Sequence, residues 1–367
     1  MRVIVLGVSA AVLAGCMEPQ PAPEIAERPS TDFSVTELAG GLDAPWSVAP
    51  LPGGGALVTE KAGRLLRVDG GALSEIGPLP GDLYYTEVAN SQAGLFDIVL
   101  GEDFEETGRV WLSYAYGTAE ANGTALATAR LVGDRLEGLE TVFRADSKDT
   151  NAHYGAKVVA LGDGTIAMST GDGFVYREAA QDMASTLGKI VRVRVDGAPA
   201  GSAAGSAVWS LGHRNVQGLA VDRATGVLWE HEHGPRGGDE LNRIEPGANY
   251  GWPVVTTGVD YNGMRISPFE TADGFEPYVH QWTPSVAPSG LAIYRGELFP
   301  DWQGDALVGA LAGKSLRRVD LEDGVAVGEE KLLGDLGARI RDVREAPDGS
   351  VWVLTNEESS RLLRVAP

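Results

Sequence analysis

The chain of 367 residues carries 49 Gly, 20 Pro, 8 Trp and 1 Cys, and 43% of it is apolar. That composition excludes a disordered chain and suffices for a large core, in two domains by length alone or in one unit if the architecture is repetitive β. With 30 basic against 51 acidic side chains the net charge is −21, which excludes nucleic acid as a partner, and one Cys excludes an internal disulfide or a cysteine-based zinc cluster.

The first residues read as an export signal. Met1-Arg2 is a short basic start, and positions 3–15 are apolar or small apart from Ser9, a run too short to span a bilayer. The run leads into Leu13-Ala-Gly-Cys16, which resembles the lipobox of bacterial lipoproteins. That resemblance implies removal of residues 1–15 and acylation of the Cys16 thiol. The alternative is an ordinary secretory signal with Cys16 as a bystander. Met17 follows instead of Asp, so the expected location is lipid-anchored on the periplasmic side, at the outer membrane. Residues 16–32, with Pro19, Pro21, Pro23 and Pro29, read as an extended tether outside the folded unit.

From 33 to 367 the pattern is all-β. Positions 48–52, Gly53-Gly-Gly55, 56–60 and 63–68 spell strand, glycine turn, strand and strand. The phrase returns at 158–171 around Gly162-Asp-Gly164, and at 343–365 around Pro347-Asp-Gly349. Positions 304–309 and 316–319 form a degenerate copy. A recurring meander predicts a β-propeller, because a lone blade cannot bury both its faces. About 335 residues at about 40 to 55 per blade allow six to eight blades, with a pair of β-sandwiches as the alternative. The irregular spacing predicts long loops, which in a propeller gather at one end of the channel.

Polar residues concentrate between 209 and 261. One motif is Leu211-Gly-His-Arg-Asn-Val-Gln-Gly-Leu-Ala220; the other is Glu230-His-Glu-His-Gly-Pro-Arg-Gly-Gly-Asp-Glu-Leu-Asn242. His231 and His233 share a strand face, which is compatible with a metal pair, but no third His or Cys is close in sequence. The glycines around Pro235, beside Asp239 and Glu240, offer instead an all-oxygen setting suited to calcium. Arg339 and Arg341, two apart, fall on one strand face, either as an exposed edge or as a binding surface.

These motifs, with Leu42-Asp-Ala-Pro-Trp-Ser47, Thr59-Glu-Lys-Ala-Gly-Arg-Leu65 and 339–348, resemble the soluble PQQ-dependent aldose sugar dehydrogenases of the glucose/sorbosone dehydrogenase family. The resemblance covers nearly the whole folded chain and implies a six-bladed β-propeller with long loops on the active-site face. It implies that His153 is the catalytic base and that Gln92, Arg214 and Asn215 contact the quinone. It places Asp239, Tyr261, Lys314, Arg339 and Arg341 at the cofactor, and His233 less firmly, since some members carry Gln there. It assigns the carbonyls of Gly234 and Pro235 to an active-site calcium. Glu240, with the Tyr250 carbonyl, is assigned to a structural calcium.

A cofactor with three carboxylates needs a local cationic pocket inside so acidic a protein, and Arg214, Lys314, Arg339 and Arg341 would supply it. The implied reaction is oxidation of the anomeric hydroxyl of an aldose to a lactone. Calcium would polarise the quinone, and an external acceptor would take the electrons, since the chain has no Cys-x-x-Cys-His haem site. A monomer is expected. Positions 83–90 and 175–183 match nothing legible, so the sugar stays at the level of "aldose". The rival readings are a calcium-dependent lactonase, which needs no cationic pocket, and a non-catalytic propeller that binds sugar or protein.

Overall fold

The computed structural model describes residues 24–367, so the signal segment and Cys16 lie outside the described residues. Short runs of Val, Leu, Ile and Ala between glycine turns form six antiparallel sheets, arranged as a six-bladed β-propeller. The innermost strands, in chain order, are Pro45–Pro50, Leu95–Leu100, Gly155–Ala160, Val216–Val221, Pro288–Ile293 and Ile340–Glu345. The repeat phrases read from the sequence fall in the first, third, fifth and sixth blades. The sixth blade is closed by Ser34–Leu42, which pairs antiparallel with the C-terminal strand Ser360–Ala366. That pairing joins the two ends of the chain and leaves no gap in the ring.

Each seam between blades holds its own apolar core. Leu57 and Leu65 meet Leu95 and Leu112 in the first seam; Trp111 meets Val158 and Met168 in the second. Ile190 meets Leu219, and Trp229 meets Leu291 and Val308. Leu307 and Leu316 meet Val343 and Val353, and Leu354 meets Val48 and Val58. At about 1.5–3 kcal/mol per fully buried aliphatic side chain, these seams are what stabilises a blade that could not stand alone.

A second regularity positions the site. Every innermost strand shifts register against its neighbour close to its start, at Pro45/Ser47, Leu95/Ile98, Gly155/Val158, Val216/Gly218, Ser289/Leu291 and Ile340/Asp342. An extra residue in one strand breaks the two-residue alternation and re-aims side chains. Trp46, Asp97, Lys157, Gln217 and Arg341 all sit within these irregular steps. One product is a buried ionic knot across the second, third and sixth blades. Lys157 Nζ lies 2.9 Å from Asp342, and Arg344 bridges Asp97 at 2.7 Å and Asp342 at 3.1 Å. Asp97 and Asp342 also accept backbone N–H bonds from Val158 and Val48, so every charge in the knot is paired.

The stretch read as a tether is attached to the fold before its expected end at residue 32. Ala26–Glu27 adds a short parallel strand to the fifth blade, beside Gly328 and Glu329. Arg28 then pairs with Asp320, and Thr31 with Glu330. Asp320 on strand Ser315–Glu322 and Glu330 on strand Val325–Leu332 of that blade give this polar segment its partners.

Candidate active site

The propeller has two open ends, and their charges differ. One end opens into a funnel of about 850 Å³ lined by Pro50, Leu100, Ala160 and Glu345, with Arg295 and Arg344 at its wall. Arg295 is paired with Asp222 at 2.7 Å and Arg344 lies within the knot. Arg223 on the same wall forms no ion pair among the described residues, but Glu102, Glu105, Asp222 and Glu345 line the funnel with it. The opposite end gathers the turns that precede the innermost strands, together with the loops at 171–188, 233–238 and 311–314 and residues of the 245–279 excursion. All the carried-over site residues within the described part lie at this end.

His153 closes the turn before Gly155–Ala160, in the left-handed region at φ 51°. Its backbone N–H donates to the Gln92 side-chain oxygen at 2.8 Å, and Gly171 packs so close that a Cβ there would stand 2.1 Å from the His153 carbonyl oxygen. Its Nδ1 lies 2.6 Å from Asp172 Oδ1, while Asp172 Oδ2 accepts the indole N–H of Trp252 at 2.8 Å. Burial acts against the Asp172 charge, but the hydrogen bond with His153 and the nearby Arg214 charge leave its carboxyl below the usual range. An ionised carboxylate only accepts, so the ring proton sits on Nδ1 and the lone pair on Nε2. Burial, followed by the Arg214 charge, holds the imidazole below its ordinary 6.5 despite Asp172. A neutral base is therefore held in one tautomer at neutral pH.

Arg214 and Asn215 enter together before Val216–Val221. The Arg214 guanidinium donates to the carbonyls of His233 and Gly234 at 2.9 and 2.7 Å, stacks over Trp252 and reaches the Tyr261 hydroxyl at 3.4 Å. Asn215 Oδ1 accepts the Gly155 N–H at 3.2 Å, tying the third blade to the fourth. Phe174 packs edge-on against His153 and stacks on Tyr261, and both aromatic rings stay largely exposed.

Cations here lack acids. Among the described residues, Arg214, Lys314, Arg339 and Arg341 form no ion pair, and neither does Lys61, which the motif reading passed over. Arg341 Nε is sealed from solvent without a hydrogen-bond partner. Burial first, then Arg339, pulls Arg341 down to about 10, and burial with Arg341 lowers Lys61. The Arg339 guanidinium donates to the Leu311 carbonyl at 3.5 Å, and Lys314 tips the neighbouring turn. Arg214 is buried, Arg341 and Lys61 are half-buried, and Lys314 and Arg339 are exposed, so the repulsion falls chiefly on the first three, and an anion would relieve it.

The fourth blade carries the expected metal residues. A Cβ on Gly234 would meet the Gly237 and Gly238 carbonyl oxygens at 2.3 Å, so this tight bend needs its glycine. The Gly234 carbonyl accepts from Arg214, and its second lone pair remains for a cation. Glu232, Gly234, Pro235, Glu240 and Tyr250 line one cavity of about 10 Å³ under the bend, with room for one ion or water and so for one of the two expected calcium ions. Burial and the facing Glu232 charge push Glu240 up to about 8, as expected of an acid placed to meet a cation. The all-oxygen donors fit calcium.

Asp239 and His233 take supporting places. Asp239 accepts four bonds, from the N–H groups of Gly234, Val286 and Ala287 and from the Ser285 hydroxyl, fastening the bend to the next blade. Burial still raises it to about 6. His233 Nε2 bonds to the Pro288 carbonyl at 2.8 Å and His231 Nε2 to the Gly290 carbonyl at 2.9 Å. His231 and His233 thus brace the fifth blade separately and form no metal pair. Asp172 and Trp252 escaped the sequence reading. Asp172 follows Gly171 at the end of a repeat phrase, where an acid reads as a turn residue.

The fold and this end of it define a class, the six-bladed propellers that present a cationic pocket beside a histidine base. A model of the family described as Glucose / Sorbosone dehydrogenase matches residues 42–364. The chain belongs to that family. It is 39% identical over 351 residues to the aldose sugar dehydrogenase YliI of Escherichia coli, covering 91% of this chain and 93% of that protein. The crystal structure of the soluble Escherichia coli aldose sugar dehydrogenase in its apo-form superposes with a TM-score of 0.85 at 37% identity, over 92% of this chain and 100% of that one. The PQQ-bound form of aldose sugar dehydrogenase from Streptomyces coelicolor gives 0.74 at 31% identity, over 92% and 100%.

The His153–Asp172 pair yields a prediction. Removing the Asp172 charge takes away what raises the imidazole, so in Asp172→Asn the His153 pKa falls further. The amide can also donate to Nδ1 and drive the ring proton to Nε2. Nitrogen NMR of labelled His153 reads both changes, and an unaltered tautomer and titration in the variant would contradict the assignment.

Proposed function

We propose that this protein oxidises the anomeric hydroxyl of aldose sugars to lactones, with PQQ and calcium bound at the cationic end. The observation that carries the reading is the group of Arg214, Lys314, Arg339, Arg341 and Lys61, without acid partners, beside a neutral His153. A tricarboxylate is the anion such a group fits, and the PQQ-bound Streptomyces relative supports the choice. A lactonase would have no use for these charges.

When bound, PQQ supplies an ortho-quinone that accepts the hydride from C1, with calcium as its Lewis acid. The arginines and lysines hold the carboxylates. Gly234 and Pro235 offer carbonyls to the active-site calcium, and Glu240 with the Tyr250 carbonyl serves a second, structural one. His153 Nε2 takes the proton from the anomeric hydroxyl, a general-base step worth about 10² to 10⁴ in rate. Phe174 and Tyr261 offer exposed rings for a sugar face beside that nitrogen. Electrons leave to an external acceptor, and the enzyme acts as a monomer.

Apo protein given PQQ and calcium should reduce a dye acceptor with aldoses, and calcium chelation should abolish this. His153→Gln should still bind PQQ while turnover falls at least about a hundredfold. Wild-type turnover in that variant would place the base elsewhere. For the wild type, the rate should hold below pH 6.5 and fall only as the lowered imidazole pKa is crossed.

The lipobox at Cys16 supports a further proposal, that acylation tethers the enzyme to the periplasmic face of a membrane. Cys16→Ser behind a cleavable signal should move active enzyme from the membrane fraction to the soluble periplasm. Wild-type protein found wholly soluble would refute the anchor.

A further inference from the structure

Beneath the Arg214–Asn215 turn the fourth blade buries acids that the reaction above does not use. Leu228–Glu232 pairs with Asp239–Ile244 so that Glu230 faces Asn242 and Glu232 faces Glu240. Two-residue alternation puts all four on one face of the sheet. No lysine or arginine among the described residues pairs with Glu230 or Glu232; the group that approaches both is His213.

His213 is wholly buried and its ring is fixed on two sides. Nε2 shares a hydrogen bond with Ser210 Oγ at 2.8 Å, and the ring stacks on Tyr250 at 4.8 Å and 22°. Nδ1 has no hydrogen-bond partner although it is sealed from solvent. It stands 3.7 Å from Glu230 Oε1 and 3.7 Å from Glu232 Oε1, and the three atoms lie within 4.8 Å of one another. A hydrogen bond would bring such atoms to about 2.8 Å. Two ligands each about 2.1 Å from one tetrahedral ion stand about 3.4 Å apart, close to what is found.

The surrounding bonds orient these atoms as ligands. Asn242 donates to Glu230 Oε1 at 2.7 Å, which keeps a second lone pair, and Glu230 Oε2 beside it is sealed from solvent without a partner. The backbone N–H groups of Arg214 and Asn215 occupy Glu232 Oε2, leaving Oε1 for the centre. Such outer bonds are the usual support of a metal shell.

We propose that His213 Nδ1, Glu230 Oε1 and Glu232 Oε1 hold a divalent transition-metal ion of the zinc class. An imidazole nitrogen among two carboxylates suits zinc better than calcium or magnesium, which take oxygen shells. This site adjoins the cavity that Glu232, Glu240 and Tyr250 line, but it uses a nitrogen donor and a different set of atoms, and it does not depend on the sugar-oxidising reading. Through Glu232 the ion would stiffen the turn that carries Arg214 to the active end.

The test uses full-length protein stripped by chelator, refilled with excess calcium to occupy oxygen-only sites, then exposed to zinc chloride and desalted. Elemental analysis should find one zinc per chain in the wild type and in Glu240→Gln, and none in Glu230→Gln. Zinc should raise the wild-type melting temperature by about 5 °C and leave Glu230→Gln unmoved. Because Glu230→Gln could fail to fold, zinc-edge anomalous diffraction on wild-type crystals provides an independent arm. It should place a peak about 2.1 Å from His213 Nδ1. Substoichiometric zinc in the wild type, a peak elsewhere, or zinc retained by folded Glu230→Gln would overturn the proposal.

Discussion

Uncompensated positive charge is the constraint around which this molecule is arranged. A chain with a net charge of −21 could neutralise any cation on its surface, and Arg295, Arg318 and Arg344 are all paired with acids. Arg214, Lys314, Arg339, Arg341 and Lys61 are left without such partners at one end. Arg214 is buried and Arg341 and Lys61 are half-buried, so their desolvation and mutual repulsion are costly without a ligand, while the exposed Lys314 and Arg339 add charge at the rim. Such an arrangement persists when an anion is part of the working state. The acids Glu102, Glu105, Asp222 and Glu345 that line the wider funnel make that end a poor host for the same ligand.

The fold brings these charges together through two devices. Apolar seams make each blade depend on its neighbours, which fixes the six innermost strands around one axis. Register shifts near the start of every innermost strand then turn polar side chains toward that axis. Lys157 is spent on the ionic knot below, whereas Arg341 stays free for the site above. His153 owes its place to a left-handed turn braced by Gln92 and Asp172. Local backbone irregularity, repeated six times, is thus what converts a stack of sheets into a site.

Much of the architecture was legible because turn glycines and apolar alternation report directly on strands. The phrases at 48–68, 158–171 and 343–365 fell in register with blades, while the second blade, with a strand of 11 residues, and the fourth, whose strands carry the polar motifs, held no such phrase. The family motifs directed attention to His153, Arg214 and Asn215, which the fold brings to one end. Period-two reading could not foresee the bulges, and so missed Asp97, Lys157 and the central place of Gln217. Asp172 was hidden as a turn residue and Lys61 inside a strand-flanking phrase. His213, lying in the first motif, was legible as a residue but not as a partner of Glu230 and Glu232. Strand pairing sets that meeting, and no local pattern reports it.

The account turns on whether the unpaired cations hold a tricarboxylate quinone. The most direct measurement is the calorimetric dissociation constant of PQQ for calcium-loaded wild type and for Arg341→Met. Losing one charge-assisted contact of about 1.5–3 kcal/mol should weaken binding about ten- to a hundredfold, with folding intact. Absence of PQQ binding by the wild type, or equal affinity in the two proteins, would contradict it.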